Sequence, residues 1–135
     1  MSILGIDYGK RKIGVAVCNF KIARPVTIIK YKKLNDVLAK LENIVEEHEV
    51  EKIVVGLPKN MDNSEGEMAK LANKFASEVE KKFKVPTILW DERLTTVQAK
   101  EMMHQAQFSR NKCRKLEDQI AAAIILQSYM DSLCT

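Results

Sequence analysis

Acidic residues stand at three points of the sequence where an apolar segment meets a polar one. Asp7 ends the first apolar run, and Asp91 and Glu92 follow a later one. Asp118 precedes an alanine-rich apolar segment near the end of the chain. A carboxylate beside core residues is costly to bury unless it is hydrogen-bonded, paired or bound to a cation. Carboxylate oxygens without histidine or cysteine suit a hard cation such as Mg²⁺ or Mn²⁺.

Basic residues accompany these acids along the chain. They follow the first acid, flank the second and precede the third: Lys10, Arg11, Lys12, Arg93, Arg110, Lys112, Arg114 and Lys115. Such clusters are usually solvated surface, and the net charge of +4 is mild. Beside a carboxylate-bound metal, however, they are what phosphodiester hydrolysis requires, with the metal at the scissile phosphate and cations along the flanking backbone.

Each acid also has an ordinary structural interpretation. Asp7 could cap the turn that follows it through its side chain. Asp91 and Glu92 suit the start of a helix, and in an extended strand only one of them can face a given site. Asp118 could simply interact with the dipole at the start of the last helix. The residues alone leave these alternatives open.

The elements that must position the acids are predicted from periodicity and turn residues. The pattern indicates strands at 3–7, 13–18, 25–30, 52–55 and 85–90, and helices at 35–48, 68–83, 95–105 and 114–133, with Asn35 as a helix N-cap. Three strands with short connections favour an antiparallel meander, and two later strands reached through helices favour right-handed parallel crossovers. The predicted fold class is α/β, a mixed five-stranded sheet with strand 2 antiparallel and helices on both faces.

This topology brings the acids together. Strands 1, 4 and 5 end at the same carboxyl edge, where open α/β sheets usually bind their ligands. Asp7, the segment 56–58 and the pair Asp91 and Glu92 all fall at that edge. The two alanines one turn after Asp118 would let the last helix approach the sheet closely and carry the third acid towards the same place.

Composition limits the classes of protein that fit. With 135 residues, 46% apolar and 30% charged, the chain is predicted to be a single domain spanning 1–135. Its three cysteines form no CxxC pair, which argues against a disulfide framework and favours a reducing cytoplasm. Two histidines leave little for a histidine-rich metal site. We expect no membrane partner, because no run is long enough to span a bilayer and no signal-peptide pattern opens the chain.

Four blocks of the sequence together resemble one family. They are Asp7-Tyr8-Gly9 with Arg11 and Gly14-Val15-Ala16; Gly56-Leu57-Pro58; Asp91-Glu92-Arg93-Leu94-Thr95-Thr96 with Ala99; and Asp118 with Ala121-Ala122 and Ile125-Leu126-Gln127. In this order and spacing they are similar to the YqgF family of RNase H-like proteins, over essentially the whole chain. One departure lies in a loop, where Asn63 stands at a position that is often glycine in the family.

The resemblance implies a fold and a site. It implies an RNase H-like fold with strand order 3-2-1-4-5, and a catalytic, metal-binding triad of Asp7, Glu92 and Asp118. It thereby selects Glu92 rather than Asp91. The implied cofactor is Mg²⁺ or Mn²⁺, as one or two ions. The basic residues named above would then bind nucleic acid.

The resemblance also implies a function, with alternatives. The expected activity is that of a metal-dependent endonuclease that processes the 5′ end of pre-16S ribosomal RNA, leaving 5′-phosphate and 3′-hydroxyl ends. One alternative is a Holliday-junction resolvase acting on four-way DNA, and another is an RNA-binding assembly factor that cuts nothing. An ATP-binding protein of the actin and sugar-kinase type would need two such domains, which 135 residues cannot supply. Structured RNA is the favoured partner, branched DNA the other, and the protein is expected to be a monomer or a homodimer.

Overall fold

The structure is a computed structural model that describes residues 2–58, 66–108 and 116–133. For residues 106–108 and 116–119 it describes the backbone alone. Asn63 and the basic residues Arg110, Lys112, Arg114 and Lys115 lie outside the described residues.

The described residues alternate strands and helices in the predicted order. The elements are β1 (Ser2–Asp7), β2 (Lys12–Cys18), β3 (Arg24–Lys30), α1 (Leu34–Glu47), β4 (Val50–Leu57), α2 (Glu67–Phe83), β5 (Thr87–Asp91), a 3-10 turn (Glu92–Leu94), α3 (Val97–Phe108) and α4 (Leu116–Ser132). None of the described helices is both long enough and apolar enough to cross a membrane.

The strands form one mixed sheet of order β3-β2-β1-β4-β5. β2 runs antiparallel to both of its neighbours, whereas β1, β4 and β5 are mutually parallel. The predicted fold class and strand order are therefore confirmed. Leu57 at the end of β4 is paired with Asp91 at the end of β5, so the acidic segment after β5 starts at the carboxyl edge of the sheet.

The two faces of the sheet bury different partners. On β1, Leu4 and Ile6 pack into a core shared with Leu41 of α1 and Phe75 of α2. Since side chains alternate along a strand, Gly5 and Asp7 turn to the opposite face, which α3 and α4 cover. Asp7 thus lies at the end of a core strand, on the face of the sheet opposite the larger hydrophobic core.

Helix α4 lies unusually close to the sheet. A Cβ placed on Gly5 would come within 2.7 Å of Leu126 Cβ and 3.1 Å of the Ala122 carbonyl oxygen. Such short distances require glycine on the strand and favour a small residue on the helix. That residue is Ala122, which is buried. The close approach of the last helix was predicted from Ala121 and Ala122, and the structure confirms it.

The predicted N-cap of the first helix is wrong. Asn35 was expected to be the N-cap of α1, but the helix begins at Leu34 and Lys33 occupies the cap position without a side-chain cap bond. The prediction was wrong because the backbone sets this terminus: the Asp36 amide donates to the Lys33 carbonyl at 3.1 Å. Asn35 is an exposed residue of the first turn.

Candidate active site

Asp7 occupies the last position of β1, paired with Gly14 of β2. Its side chain is partly buried. It lines a small cavity of about 110 Å³ together with Lys12, Gly14 and Ile28. Asp7 therefore borders a confined space at the carboxyl edge, and the basic residue Lys12 borders the same space.

Asp91 is held by the turn that follows β5. Its Oδ1 accepts a hydrogen bond from the Arg93 amide at 2.9 Å, which makes it the N-cap of the 3-10 turn. Its carboxylate also pairs with the Arg93 guanidinium, with Oδ2 2.7 Å from Nη2. Asp91 thus takes the structural role, capping and pairing, that the sequence left open between it and Glu92.

Glu92 turns towards the sheet. A Cβ placed on Gly56 would lie 3.2 Å from Glu92 Cγ and 3.3 Å from its Cδ, so the glycine leaves room for this side chain against β4. Burial, followed by the charges of Asp7 and Asp91, raises the pKa of Glu92 to about 7. The influence of Asp7 on this pKa shows that the first and second acids share one electrostatic environment.

The backbone of α4 carries Asp118 towards the same edge. Ile125 lies beside Gly56 near the carboxyl end of β4, whereas Lys52 Nζ, near the amino end of β4, donates a hydrogen bond to the Tyr129 hydroxyl at 3.1 Å. The helix therefore runs antiparallel to β4, and its first turn is at the carboxyl edge. Asp118 belongs to that first turn, one helical turn before the Ala122 that lies against Gly5.

The described side chains provide two neighbouring carboxylates at this edge, Asp7 and Glu92. Among the side chains that the structure describes, no group of three histidine, cysteine or carboxylate residues forms a metal-binding cluster. Magnesium is commonly held by one or two carboxylates, with waters and substrate phosphate completing its shell. Asp7 beside a small cavity, with Glu92 close enough for the Asp7 charge to raise its pKa, fits such a cation.

The predicted nucleic-acid-binding residues are placed in different surroundings. Lys10 is exposed and pairs with Glu67 at 3.3 Å, Arg11 is exposed, and Lys12 reaches the Asp7 cavity. Arg93 is engaged by Asp91, so much of its charge is compensated locally. The structure thus brings the first basic turn to the acidic edge and ties Arg93 to its neighbour.

The sequence matches one known protein family. Residues 1–132 match the family described as RuvX: Holliday junction resolvase. The chain belongs to the RuvX family, also called YqgF. The resemblance drawn from the four sequence blocks is therefore confirmed.

Close relatives span almost the whole chain. A protein of Oceanobacillus iheyensis is 42% identical, covering 97% of this chain and 98% of its own length. One of Leuconostoc citreum is 45% identical, covering 98% and 96%. Both carry the name "Putative pre-16S rRNA nuclease".

Solved structures with a similar fold match nearly the whole chain. RuvC of Thermus thermophilus aligns with a TM-score of 0.66 and 14% identity, covering 98% of this chain and 96% of that one. The fowlpox virus Holliday junction resolvase aligns with a TM-score of 0.59 and 16% identity, covering 98% and 99%. At such identities the likeness establishes the RNase H-like fold.

Two parts of the site were missed in the sequence. The sequence marks Gly56 as part of a strand end but does not show that it makes room for Glu92. The basic segment 30–32 at the end of β3 is not among the predicted binding residues, although it lies at the same edge as the first basic turn. Its signal was visible as Lys30-Tyr31-Lys32 directly after an apolar strand.

Proposed function

We propose that this protein is a metal-dependent endonuclease that hydrolyses phosphodiester bonds in the 5′ region of pre-16S ribosomal RNA. The observation that carries the proposal is the coupling of Asp7 and Glu92 at the carboxyl edge, beside the cationic β1–β2 turn. The relatives' names supply the substrate, since proteins more than 40% identical over nearly full length carry the pre-16S name.

In this proposal the acids of three elements form one centre. Asp7, Glu92 and Asp118 hold one or two Mg²⁺ or Mn²⁺ ions, with the remaining coordination left to water and phosphate oxygens. A bound ion supplies an activated water for in-line attack and stabilises the departing oxygen.

The chain's own residues orient the substrate around that centre. Lys12, on the wall of the Asp7 cavity, attracts the scissile phosphate, and Lys10 and Arg11 hold the backbone beside it. Asp91 keeps Arg93 and the 3-10 turn in place, so that Glu92 stays directed at Gly56. The partly buried position of Glu92 keeps bulk water from screening the site.

A second candidate substrate is four-way DNA. The family is described as a Holliday junction resolvase, and the structural neighbours include RuvC in complex with a Holliday junction substrate, at a TM-score of 0.62. The same acidic centre would cut DNA strands, but a junction requires two such centres. A non-cleaving RNA-binding factor would need the basic turn and leave the acids without a role in binding.

The decisive experiment compares wild type with Asp7→Asn and, as a control, Glu47→Gln, an exposed acid at the far end of α1. Each protein is incubated with a 5′-extended pre-16S RNA fragment and a four-way DNA junction, in Mg²⁺, Mn²⁺ or EDTA. We expect metal-dependent RNA cleavage that Asp7→Asn lowers by at least about 10²-fold, since the metal supplies most of the activation. Glu47→Gln should cut at the wild-type rate.

The other outcomes separate the alternatives. Preferential, symmetric nicking of the junction would replace the RNA-processing proposal with a resolvase. Tight RNA binding without cleavage, unchanged by metal or by Asp7→Asn, would identify a binding factor instead.

Metal binding can be measured without catalysis. A ligand that binds only the folded state stabilises it by RT ln(1 + [L]/Kd), about 2.7 kcal/mol at a hundredfold excess over Kd. We therefore expect Mn²⁺ to raise the melting temperature of the wild type and of Glu47→Gln, but to have little effect on Asp7→Asn. An equal rise in all three proteins would place the ion elsewhere.

A further inference from the structure

A broad basic groove lies beside the candidate active site. It has a volume of about 1160 Å³ and is bounded by the β1–β2 turn, the end of β3 and the exposed side of α1. Six cationic residues line it: Lys10, Arg11, Lys12, Lys30, Lys32 and Lys40. Asp36 is the acidic residue among those that line the groove, so these residues carry a net positive charge.

Backbone and side-chain hydrogen bonds make the groove a fixed part of the fold. The Tyr31 amide donates to the Arg11 carbonyl at 3.0 Å, and the Tyr31 hydroxyl donates to the Gly9 carbonyl. Burial raises the pKa of the Tyr31 hydroxyl, and so does its hydrogen bond with Tyr8, so this donor stays protonated at neutral pH. Tyr31 therefore ties the first basic turn to the end of β3 and fixes the relative positions of their cations.

The groove is continuous with the acidic centre. Lys12 lines both the groove and the small cavity of Asp7. It is also paired directly with Lys30 in the register of β2 and β3. If one phosphate of a polyanion lies at Asp7, the phosphates next to it can therefore lie along the groove.

We propose that this groove binds the sugar–phosphate backbone of the strand being cut, on one side of the scissile phosphate, through Lys30, Lys32 and Lys40. The inference rests on the proposed function for the reaction at Asp7. Binding of nucleic acid to the groove can be measured without that reaction. Its volume exceeds the 300–1,000 Å³ typical of small-molecule pockets. Its charges are spread over three elements, which matches a chain of phosphates better than a single anion.

The test is a binding measurement in EDTA, so that it does not depend on cleavage. The groove variant carries Lys30→Gln, Lys32→Gln and Lys40→Gln. The matched control carries Lys21→Gln, Lys74→Gln and Lys81→Gln, three exposed lysines that do not line the groove, with the same loss of charge. The affinity of each for a single-stranded RNA oligonucleotide is measured by fluorescence anisotropy over a series of KCl concentrations.

The expected result follows from counterion release. Each phosphate contact on a single strand contributes about 0.7 to the slope of log Kobs against log salt concentration. Loss of three contacts should lower that slope by about 2 and weaken binding roughly 10- to 100-fold near 0.1 M salt. The control variant should keep the wild-type slope. Equal weakening of both variants, or of neither, would overturn the proposal.

A second arm distinguishes a strand from a free anion. AMP and inorganic phosphate are added as competitors. If either displaces RNA at concentrations close to the Kd of the RNA, the groove is a pocket for a small anion and the proposal fails. Asp7→Asn should retain the full salt slope, so a failure of the nuclease proposal would leave the groove's binding intact and visible.

Discussion

At the scale of single residues, Glu92 is held in a site that disfavours its charge. Its side chain lies against Gly56 and is affected by the charges of Asp7 and Asp91. Burial and these neighbouring charges raise its pKa from 4.5 to about 7. The folded protein therefore binds this proton more tightly than the unfolded chain does, and ionising Glu92 destabilises the fold.

The metal-free protein should lose stability between about pH 4.5 and pH 7 because of this one group. In that interval the folded state holds more protons than the unfolded state, so the free energy of unfolding falls as pH rises, by roughly 2–3 kcal/mol. Glu92→Gln removes the titration. We expect this variant to be more stable than wild type at pH 7.5 and nearly equal to it at pH 4.5.

Urea unfolding in EDTA at several pH values measures this difference. Glu47→Gln, an exposed acid on α1, serves as the control and should follow the wild type within about 0.5 kcal/mol. The same pH dependence in wild type and Glu92→Gln would show that Glu92 ionises without cost.

At the scale of elements, the distance between α4 and the sheet depends on two glycines that differ in what surrounds them. A Cβ on Gly5 would meet Leu126 Cβ at 2.7 Å and a helix carbonyl, neither of which can move without moving α4. A Cβ on Gly56 would meet the terminal Cδ1 of Ile125 at 2.6 Å and the Glu92 side chain, both of which can rotate.

The two alanine variants should therefore fail in different ways. Gly5→Ala should lower the free energy of unfolding by about 1–3 kcal/mol through overpacking. Gly56→Ala should cost less stability but displace Glu92, and so lower RNA cleavage more strongly than its stability loss explains. Urea unfolding and single-turnover cleavage measure the two quantities. Equal stability losses, with cleavage unchanged in Gly56→Ala, would contradict this assignment.

The elements themselves were largely predictable, because their signals are local. Apolar periodicity found every strand and helix that the structure describes, and alternation along the strand before Asp91 predicted that only one of the two adjacent acids faces the site. The pattern could not say which one, since that depends on the 3-10 turn and on Gly56, which is distant in sequence. The N-cap of α1 was misplaced because a backbone bond, not Asn35, begins the helix.

The basic groove could not be predicted from the sequence, because its residues come together only in the folded chain. Lys12, Lys30 and Lys40 belong to three elements, and their convergence depends on the pairing of β2 with β3 and on the packing of α1. Each lysine alone is an ordinary surface residue. Only the fold shows that they share one wall.

At the scale of the whole molecule, the described residues of each chain form one acidic centre. Cutting a single RNA strand requires one centre, whereas symmetric resolution of a four-way junction requires two, contributed by two protomers. The number of active chains needed per event therefore distinguishes the two activities, independently of which substrate is bound more tightly.

Mixing wild type with Asp7→Asn at constant total concentration, after exchange of subunits, measures that number. If one centre acts alone, the rate of RNA cleavage should fall in proportion to the fraction of wild-type chains, because inactive chains simply dilute the active ones. Paired nicks in a four-way junction should instead fall with the square of that fraction, since both protomers must be active. A square dependence for RNA would mean that two chains act together on one strand, and the single-centre mechanism would be wrong.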